Sequence, residues 1–525
     1  MIMTDQTWST TSYIATAIVA LVVLAVYRIS QIGKRDPRLP PGPPTVPVLG
    51  NAHLIPTTGL AKKFQEWARE YGPIFSLKVG PGTIIIISDR RAVNTLFDKR
   101  GAVYADRPRA DVAMWVTNEN HFSFEQNSKG WKEKRAIATR FFSPKLLDEH
   151  HFKVQEAEAT CLMYNVYRHS DKLPEYAKLY TVSVLCSLLY GQRAPDLDSF
   201  WYKEFYEHME GWTAVLEPGA NPPVEQFPWL WYLPGQWKKR AADVKKTRHD
   251  LWTHARKIVD KRRATGDKRD CLLDAKLDEY AQKGWPFDEW VVNYLFGEMV
   301  EGGADTTANH LLTLILALAA HPHVQERAYR ELEAVCGADR APVWSDFDKC
   351  PYINCIVKEG MRWRPTARSG LPHLAVQDDV YDNYLIPKGS TVFMSVWTMH
   401  QNDTIFQDAE KFNPDRYLNH PRLANEYATS SDYENRDHYG YGSGRRMCPG
   451  IHLAERNMWR IAAKLIWAFK MYEDPSAPLD VDGYTSSILV SPLPFKVKVE
   501  PRSQKHMETV QRELVQALEF LKQYE

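Results

Sequence analysis

From Gln6 to Tyr27 the chain carries no charged side chain, and its densest stretch, Tyr13 to Tyr27, is mostly Ile, Val, Leu and Ala. As a helix those 22 residues would extend roughly 33 Å, enough to cross a hydrocarbon core. A cleaved signal peptide is the plain alternative. It would place basic residues ahead of the apolar run, where the only charged side chain is Asp5. A mitochondrial presequence fails too, because no Arg precedes Arg28. Past the span, Arg28, Lys34, Arg35 and Arg38 would keep the bulk of the chain on the cytosolic side. Leu39 to Pro47 then reads Leu-Pro-Pro-Gly-Pro-Pro-Thr-Val-Pro, which stops a helix and predicts a stiff spacer.

Further on, Ile74 to Val79 and Thr83 to Ser88 flank Gly80-Pro81-Gly82 and predict a β-hairpin. Thr391 to Val396 and Phe495 to Val499 also have strand character, but helical spacing dominates elsewhere. The longest apolar-rich stretch runs from Trp290 to Ala320 and stops at His321-Pro322. It is too long for an average surface helix, which predicts a central one. The pattern gives a mainly α fold with a minor β part, of α+β class. Its expected organisation is an anchor over 6–27, a basic and proline-rich hinge over 28–50, one domain over 51–500 and a helical extension over 501–525. In the extension, Val510, Leu514, Ala517 and Leu521 share one helical face, which fits docking on the domain or a partner as well as a frayed solvated helix.

Composition narrows the function. The 66 Lys plus Arg nearly cancel the 65 Asp plus Glu, for a net charge of +1, which excludes a strongly basic nucleic-acid binder. Hydrophobic residues at 44% and aromatic residues at 12% exclude an acidic disordered chain. Length alone suggests about three domains, but no linker, repeat or low-complexity stretch divides residues 50 to 500, which favours one. The seven cysteines are irregularly spaced with no C-x-x-C, so neither a disulfide framework nor a zinc site is indicated. Phe227-Pro-Trp-Leu-Trp-Tyr-Leu-Pro234 with Trp237-Lys-Lys-Arg240 suits either a membrane interface or a loop packed on its own protein.

The strongest chemical signal is Tyr441-Gly-Ser-Gly-Arg-Arg-Met-Cys448-Pro-Gly450, which leads into an amphipathic run. Glycines let backbone amides approach the sulfur, and helix N-terminal amides with Arg445 or Arg446 would stabilise a thiolate. Such a thiolate is a metal or haem-iron ligand, or a nucleophile; a lone buried cysteine is also common packing. The Gly440-x-Gly442-x-Gly444 spacing is not a dinucleotide fingerprint, since position 445 is Arg. In the long helix, Glu301-Gly-Gly-Ala-Asp305-Thr306-Thr307 places two mid-helix glycines that cost about 1 kcal/mol each. Close helix packing or a locally opened groove would account for them.

The cysteine stretch closely resembles the haem-binding loop of the cytochrome P450 family, F-x-x-G-x-R-x-C-x-G, with Gly444, Arg446, Cys448 and Gly450 in register and Tyr441 in place of Phe. The family's other motifs follow in order: Trp131-x-x-x-Arg135, the Asp305-Thr306 signature, Glu359-x-x-Arg362 and Phe412-Asn-Pro-Asp-Arg416-Tyr. Glu66-x-x-Arg69 also fits E-x-x-R, so position in this order is what singles out Glu359. The resemblance implies a cytochrome P450-like fold after a single transmembrane helix, with Cys448 as axial thiolate of haem b iron. It implies that Arg446, Trp131, Arg135 and His373 serve the haem propionates, and that Glu359, Arg362 and Arg416 form a structural triad. Thr306 would hydrogen-bond dioxygen while Asp305 relays protons.

The implied activity is a monooxygenase in the endoplasmic reticulum membrane, single-pass with a cytosolic catalytic domain. It would use O2 and NADPH electrons through a separate reductase, with cytochrome b5 as a second donor. The surroundings of Asp437-His-Tyr-Gly and Cys448 are most similar to fungal members of secondary metabolism, which implies hydroxylation or further oxidation of a lipophilic intermediate. In the family the pocket is shaped by the segment after Tyr104, Phe205 to Trp237, Phe296 to Val300, the stretch after Pro365 and the turn near Ser486. Trp115, Phe122, Phe296 and Ile488 in those regions predict an apolar pocket. Two rivals stand: an oxygen-independent haem-thiolate isomerase or dehydratase, and a catalytically inactive membrane scaffold.

Overall fold

A computed structural model describes residues 10–525; residues 6–9 of the expected span lie outside them. Thr10–Gln31 is one helix. Its Tyr13–Gln31 stretch has a mean hydropathy of 2.0, and none of it is buried against the protein. It is long and apolar enough to cross a membrane.

The proline-rich segment corrects the spacer expectation. Instead of standing off the domain, it lies along the first hairpin: the Ser76 amide and hydroxyl donate to the carbonyls of Pro41 and Pro40. Asn51 receives the Lys78 amide on its side chain and donates to the carbonyls of Pro43 and Pro44. Proline lacks a donor but keeps its carbonyl, so such a stretch can accept hydrogen bonds along its length. That fixes the end of the apolar helix against the domain.

The hairpin pairs β1, Ile74–Val79, with β2, Gly82–Ile87. Downstream come β3, His373–Leu374, the small hairpin of β4, Asp379–Tyr381, and β5, Tyr384–Ile386, and then β6, Thr391–Met394. The main sheet has the order β1-β2-β6-β3, with β2 and β6 parallel. A last antiparallel pair joins β7, Phe469–Glu473, to β8, Val497–Pro501, two residues later than the sequence pattern placed it. Everything else of size is helical, so the fold is mainly α with minor strand content.

Helix Glu289–Ala320 runs through the centre. Its second half shares one hydrophobic cluster with helices Phe152–Arg168, Leu173–Tyr190 and Ile451–Ala468. Its first half shares another with helices Phe200–Leu216 and Gln236–Ala264. A helix apolar on all sides has to be enclosed in this way. The C-terminal helix Gln504–Leu521 joins the first cluster through Met507, Val510, Ala517 and Leu521, with Leu514 packed at its edge.

Candidate active site

Cys448 sits at the end of a loop held from several sides. Gly442 and Gly444 have φ of 79° and 64°, the left-handed region that glycine enters without strain. A Cβ at Gly444 would fall 2.1 Å from the Phe97 carbonyl oxygen. The Asp98 carboxylate accepts from the Gly444 amide and the Ser443 hydroxyl, both at 2.8 Å. Arg436, fully enclosed, donates to Gly442 and His438 carbonyls. The Cys448 amide closes the loop onto the Tyr441 carbonyl at 2.9 Å. Six of the seven cysteines are buried; Cys448 alone is partly accessible.

The thiolate expectation needs correcting in its details. Burial pushes the Cys448 thiol up, opposed by the Gly450 amide and by the charge of Arg135. Arg445 is exposed to solvent. The loop alone therefore holds a neutral thiol, and a cation bound at the sulfur is what would displace its proton. Burial also raises the Tyr441 hydroxyl, and the charges of Glu455 and Cys448 push the same way.

Around the loop, three guanidiniums converge. Arg446 donates to the carbonyls of Ala105 and Glu125, both at 2.6 Å, and lies 3.7 Å from the centre of the Trp131 ring. Arg107, which the sequence reading missed, donates to the carbonyls of Ser123, Leu371 and Pro372. Arg135 donates to the Met447 carbonyl. Burial lowers all three, and mutual repulsion adds to it at Arg107 and Arg446. Among the described residues, carbonyls rather than carboxylates take their side-chain hydrogen bonds. His373 completes the group: its Nδ1–H donates to the Tyr104 carbonyl at 2.7 Å, while burial and the charges of Arg107 and Arg446 hold it neutral. The Trp131 indole N–H is taken by the Phe122 carbonyl at 3.0 Å, so this tryptophan acts on the cluster through its ring.

The central helix opens at its glycines. Between Tyr294 and Ala319 only Gly302, Gly303 and Thr306 are not buried, and a Cβ at Gly302 would meet nothing within 4 Å. Leu453, shortly after Cys448, belongs to the same hydrophobic cluster as Ala304, and the cysteine helix packs against the central helix. Thr306 Oγ1 donates to the Gly302 carbonyl at 2.6 Å. Asp305 turns instead to Asn309, whose amide donates to it at 3.0 Å. Burial pushes the Asp305 carboxyl up to about 6, against the pull of Lys178 and Asn309. The two side chains are adjacent in sequence and bonded to different partners.

Glu359 and Arg362 form a two-pronged ion pair at 2.6 and 2.7 Å, with both side chains fully buried. Arg362 also donates to the carbonyls of His400, Ala409 and Lys411, and Arg416 approaches Glu359 at 3.4 Å. Asp415 pairs with Arg327, and the Tyr417 hydroxyl donates to the Asp437 carbonyl at 3.1 Å. A buried Lys358–Asp437 pair at 2.9 Å, invisible as a motif, ties this region to the residues before the cysteine loop.

The four residues on which the sequence rested its apolar pocket lie in different surroundings. Phe296 is wholly buried near Tyr190 and Trp252. Trp115 faces outward against Trp231 and under Lys245, and Phe122 stacks on Trp131. Of the four, Ile488 does line a cavity of about 290 Å³, together with Arg107, Ser123, Phe124 and Val215.

These residues fit a haem. The Cys448 thiol can ligate iron, and guanidiniums whose side-chain hydrogen bonds go to carbonyls rather than carboxylates suit two propionates. A family model for cytochrome P450 matches residues 40–499. The chain is 41% identical over 498 residues to cytochrome P450 monooxygenase macC of Penicillium terrestre, covering 91% of this chain and 92% of that protein. It is 41% identical over 497 residues to cytochrome P450 monooxygenase yanC of Aspergillus niger, with the same coverage of 91% and 92%. With cytochrome P450 monooxygenase patI of Aspergillus clavatus it shares 38% over 480 residues, 90% of each chain. The motifs in order, the family model matched over most of the chain, and relatives matched over nearly their whole length show that the chain belongs to the cytochrome P450 family.

Proposed function

We propose that the protein is a membrane-anchored haem-thiolate monooxygenase that inserts one oxygen atom of O2 into a small organic substrate, in fungal secondary metabolism. Family membership carries monooxygenase-type oxidoreductase chemistry, a haem-thiolate cofactor and use of dioxygen. What supports the reading is the cysteine loop carrying Cys448, with Arg446, Arg107, Arg135 and His373 gathered around it, together with a central helix whose buried run is broken only at Gly302, Gly303 and Thr306. When bound, the haem supplies reductive activation of dioxygen, with a thiolate ligand that favours O–O cleavage. Cys448 would hold the iron, and Arg446, Arg107, Arg135 and His373 would face the propionates. Thr306 would present its hydroxyl to dioxygen, and Asp305, lifted by burial to about 6, would take up and pass protons toward it.

Membrane attachment is supported by the exposed apolar helix Tyr13–Gln31 and by Trp229, Tyr232 and Leu233, which stand exposed while Trp231 packs on Trp115 and Trp237. Electrons would come from NADPH through a separate reductase, with cytochrome b5 as a second donor, at the endoplasmic reticulum membrane.

The test is oxygen uptake by the full-length protein in vesicles with NADPH and a P450 reductase. Uptake that requires NADPH and is abolished by Cys448→Ala supports the reading. Turnover of a substrate without NADPH would favour the isomerase or dehydratase alternative.

A further inference from the structure

The cavity of about 290 Å³ runs inward from the surface. Arg109, Glu217, Gly219 and Pro223 on its lining are exposed, whereas Arg107, Val112, Ala113 and Val215 are buried. Arg107 also belongs to the guanidinium group around the cysteine loop, where Arg446 and Arg135 repel it. The cavity therefore leads from solvent to the edge of the candidate haem site. One wall is the loop that carries Arg107 and Phe124. The other is the segment 217–226, which follows helix Phe200–Leu216.

Pro218, Gly219, Pro222 and Pro223 keep that segment out of a helix, so a few contacts set its place. On its own side, Arg240 donates to the Ala220 carbonyl and to Asn221, and Asn221 donates to the Val215 carbonyl. Across the cavity the tie is different. The short helix Asp111–Val116 starts after Ala110, whose side chain cannot cap it. Glu225 takes that role from the opposite wall, its carboxylate accepting the Asp111 amide at 2.8 Å. Among the described residues this is the single hydrogen bond that joins 217–226 to 107–124. Val224 beside it is buried in the hydrophobic cluster that contains Val112 and Val215. Such apolar packing has no direction of its own, so the hydrogen bond is what sets the closed position.

The tie is also one that can open. Burial raises the Glu225 carboxyl, its own amide and that of Asp111 oppose this, and the Asp111 charge adds to it. The Asp111 carboxylate is itself occupied by Arg109 at 2.6 Å. Moving outward returns the Glu225 carboxylate to water, which offsets the hydrogen bond lost. Closed and open positions then lie close in free energy, as a movable segment requires. We propose that the contact of Glu225 with the Asp111 amide is the latch of an entrance to the haem site, with the segment 217–226 as its lid. The apolar walls Val112, Ala113, Phe124 and Val215 suit a bulky apolar ligand. This rests on the haem-thiolate reading above and gives Glu225 a gating role, not a catalytic one.

The test uses haem-loaded full-length protein in vesicles as wild type, Glu225→Ala and Glu225→Gln. The probe is 4-phenylimidazole, a bulky ligand of haem iron, followed by stopped-flow absorbance. Glu225→Ala should raise its association and dissociation rates each about tenfold, with Kd changed by less than about threefold. Glu225→Gln, which keeps an acceptor for the amide, should stay within about threefold of wild type. Carbon monoxide binding to the reduced protein should change by less than about twofold in either variant, because a diatomic needs no lid movement. Rates for 4-phenylimidazole within about twofold of wild type in a folded Glu225→Ala would overturn the proposal. Equal acceleration of carbon monoxide would overturn it too, since that marks general loosening. A wild type without the thiolate band would instead contradict the haem reading. Amide hydrogen exchange of the protein as isolated then judges the latch: exchange at Asp111 should quicken about tenfold in Glu225→Ala and return in Glu225→Gln, and unchanged exchange would overturn the proposal.

Discussion

At the scale of single residues, the account turns on how burial sets proton positions. Asp305 is lifted to about 6, whereas a free aspartate titrates near 3.9. Its raised value means the proton is kept up to about pH 6 and lost above it, so the stability it contributes is full at acid pH and falls as pH rises through that value. Coupled oxygen use in wild type should therefore decline as pH climbs through about 6, and Asp305→Asn should flatten that limb; identical profiles for the two would contradict the relay. Thr306→Ala should divert NADPH-driven oxygen consumption to peroxide, with coupled product falling about tenfold or more, read by peroxide assay beside oxygen uptake. Cys448 and Thr306 were legible in the sequence because their signals are local: glycines around a thiol, and two glycines inside a helix. Arg107 was not, since the Leu371 and Pro372 carbonyls that hold it lie hundreds of positions away.

At the scale of elements, the triad and the terminal helix carry the stability predictions. Glu359 and Arg362 are both fully enclosed, so Glu359→Gln leaves an unpaired buried guanidinium and should cost about 3–5 kcal/mol. Urea unfolding should show it, and a loss below about 1 kcal/mol would remove the triad from its structural role. The C-terminal helix is docked rather than frayed: Val510 and Leu521 are buried, and Arg193 reaches both the Tyr524 carbonyl and the Glu525 side chain. Val510→Asp should destabilise the protein by about 2–4 kcal/mol while the fold survives. The amphipathic spacing marked which face would bury, but spacing cannot name the surface that receives it. The proline-rich segment failed for a related reason. Its composition fixes φ and removes donors, and it says nothing about the hairpin that donates to its carbonyls.

At the scale of the whole molecule, helix periodicity found the central helix within one residue of its start, and the long helix then organised both hydrophobic clusters around itself. The ordered motifs gave the site because they lie on elements that this helix and the cysteine helix bring together. Removing residues 1–31 should release the protein from membranes in part, with Trp229, Tyr232 and Leu233 retaining a weaker association, measured by flotation with vesicles. The central claim, that Cys448 is the thiolate ligand of a haem, is tested most directly by the reduced carbon-monoxide difference spectrum of membranes containing the full-length protein. The account expects the red-shifted band of a thiolate-ligated haem, lost in Cys448→Ala. A well-folded wild-type protein with no haem signal, or a band unchanged by that substitution, would contradict it.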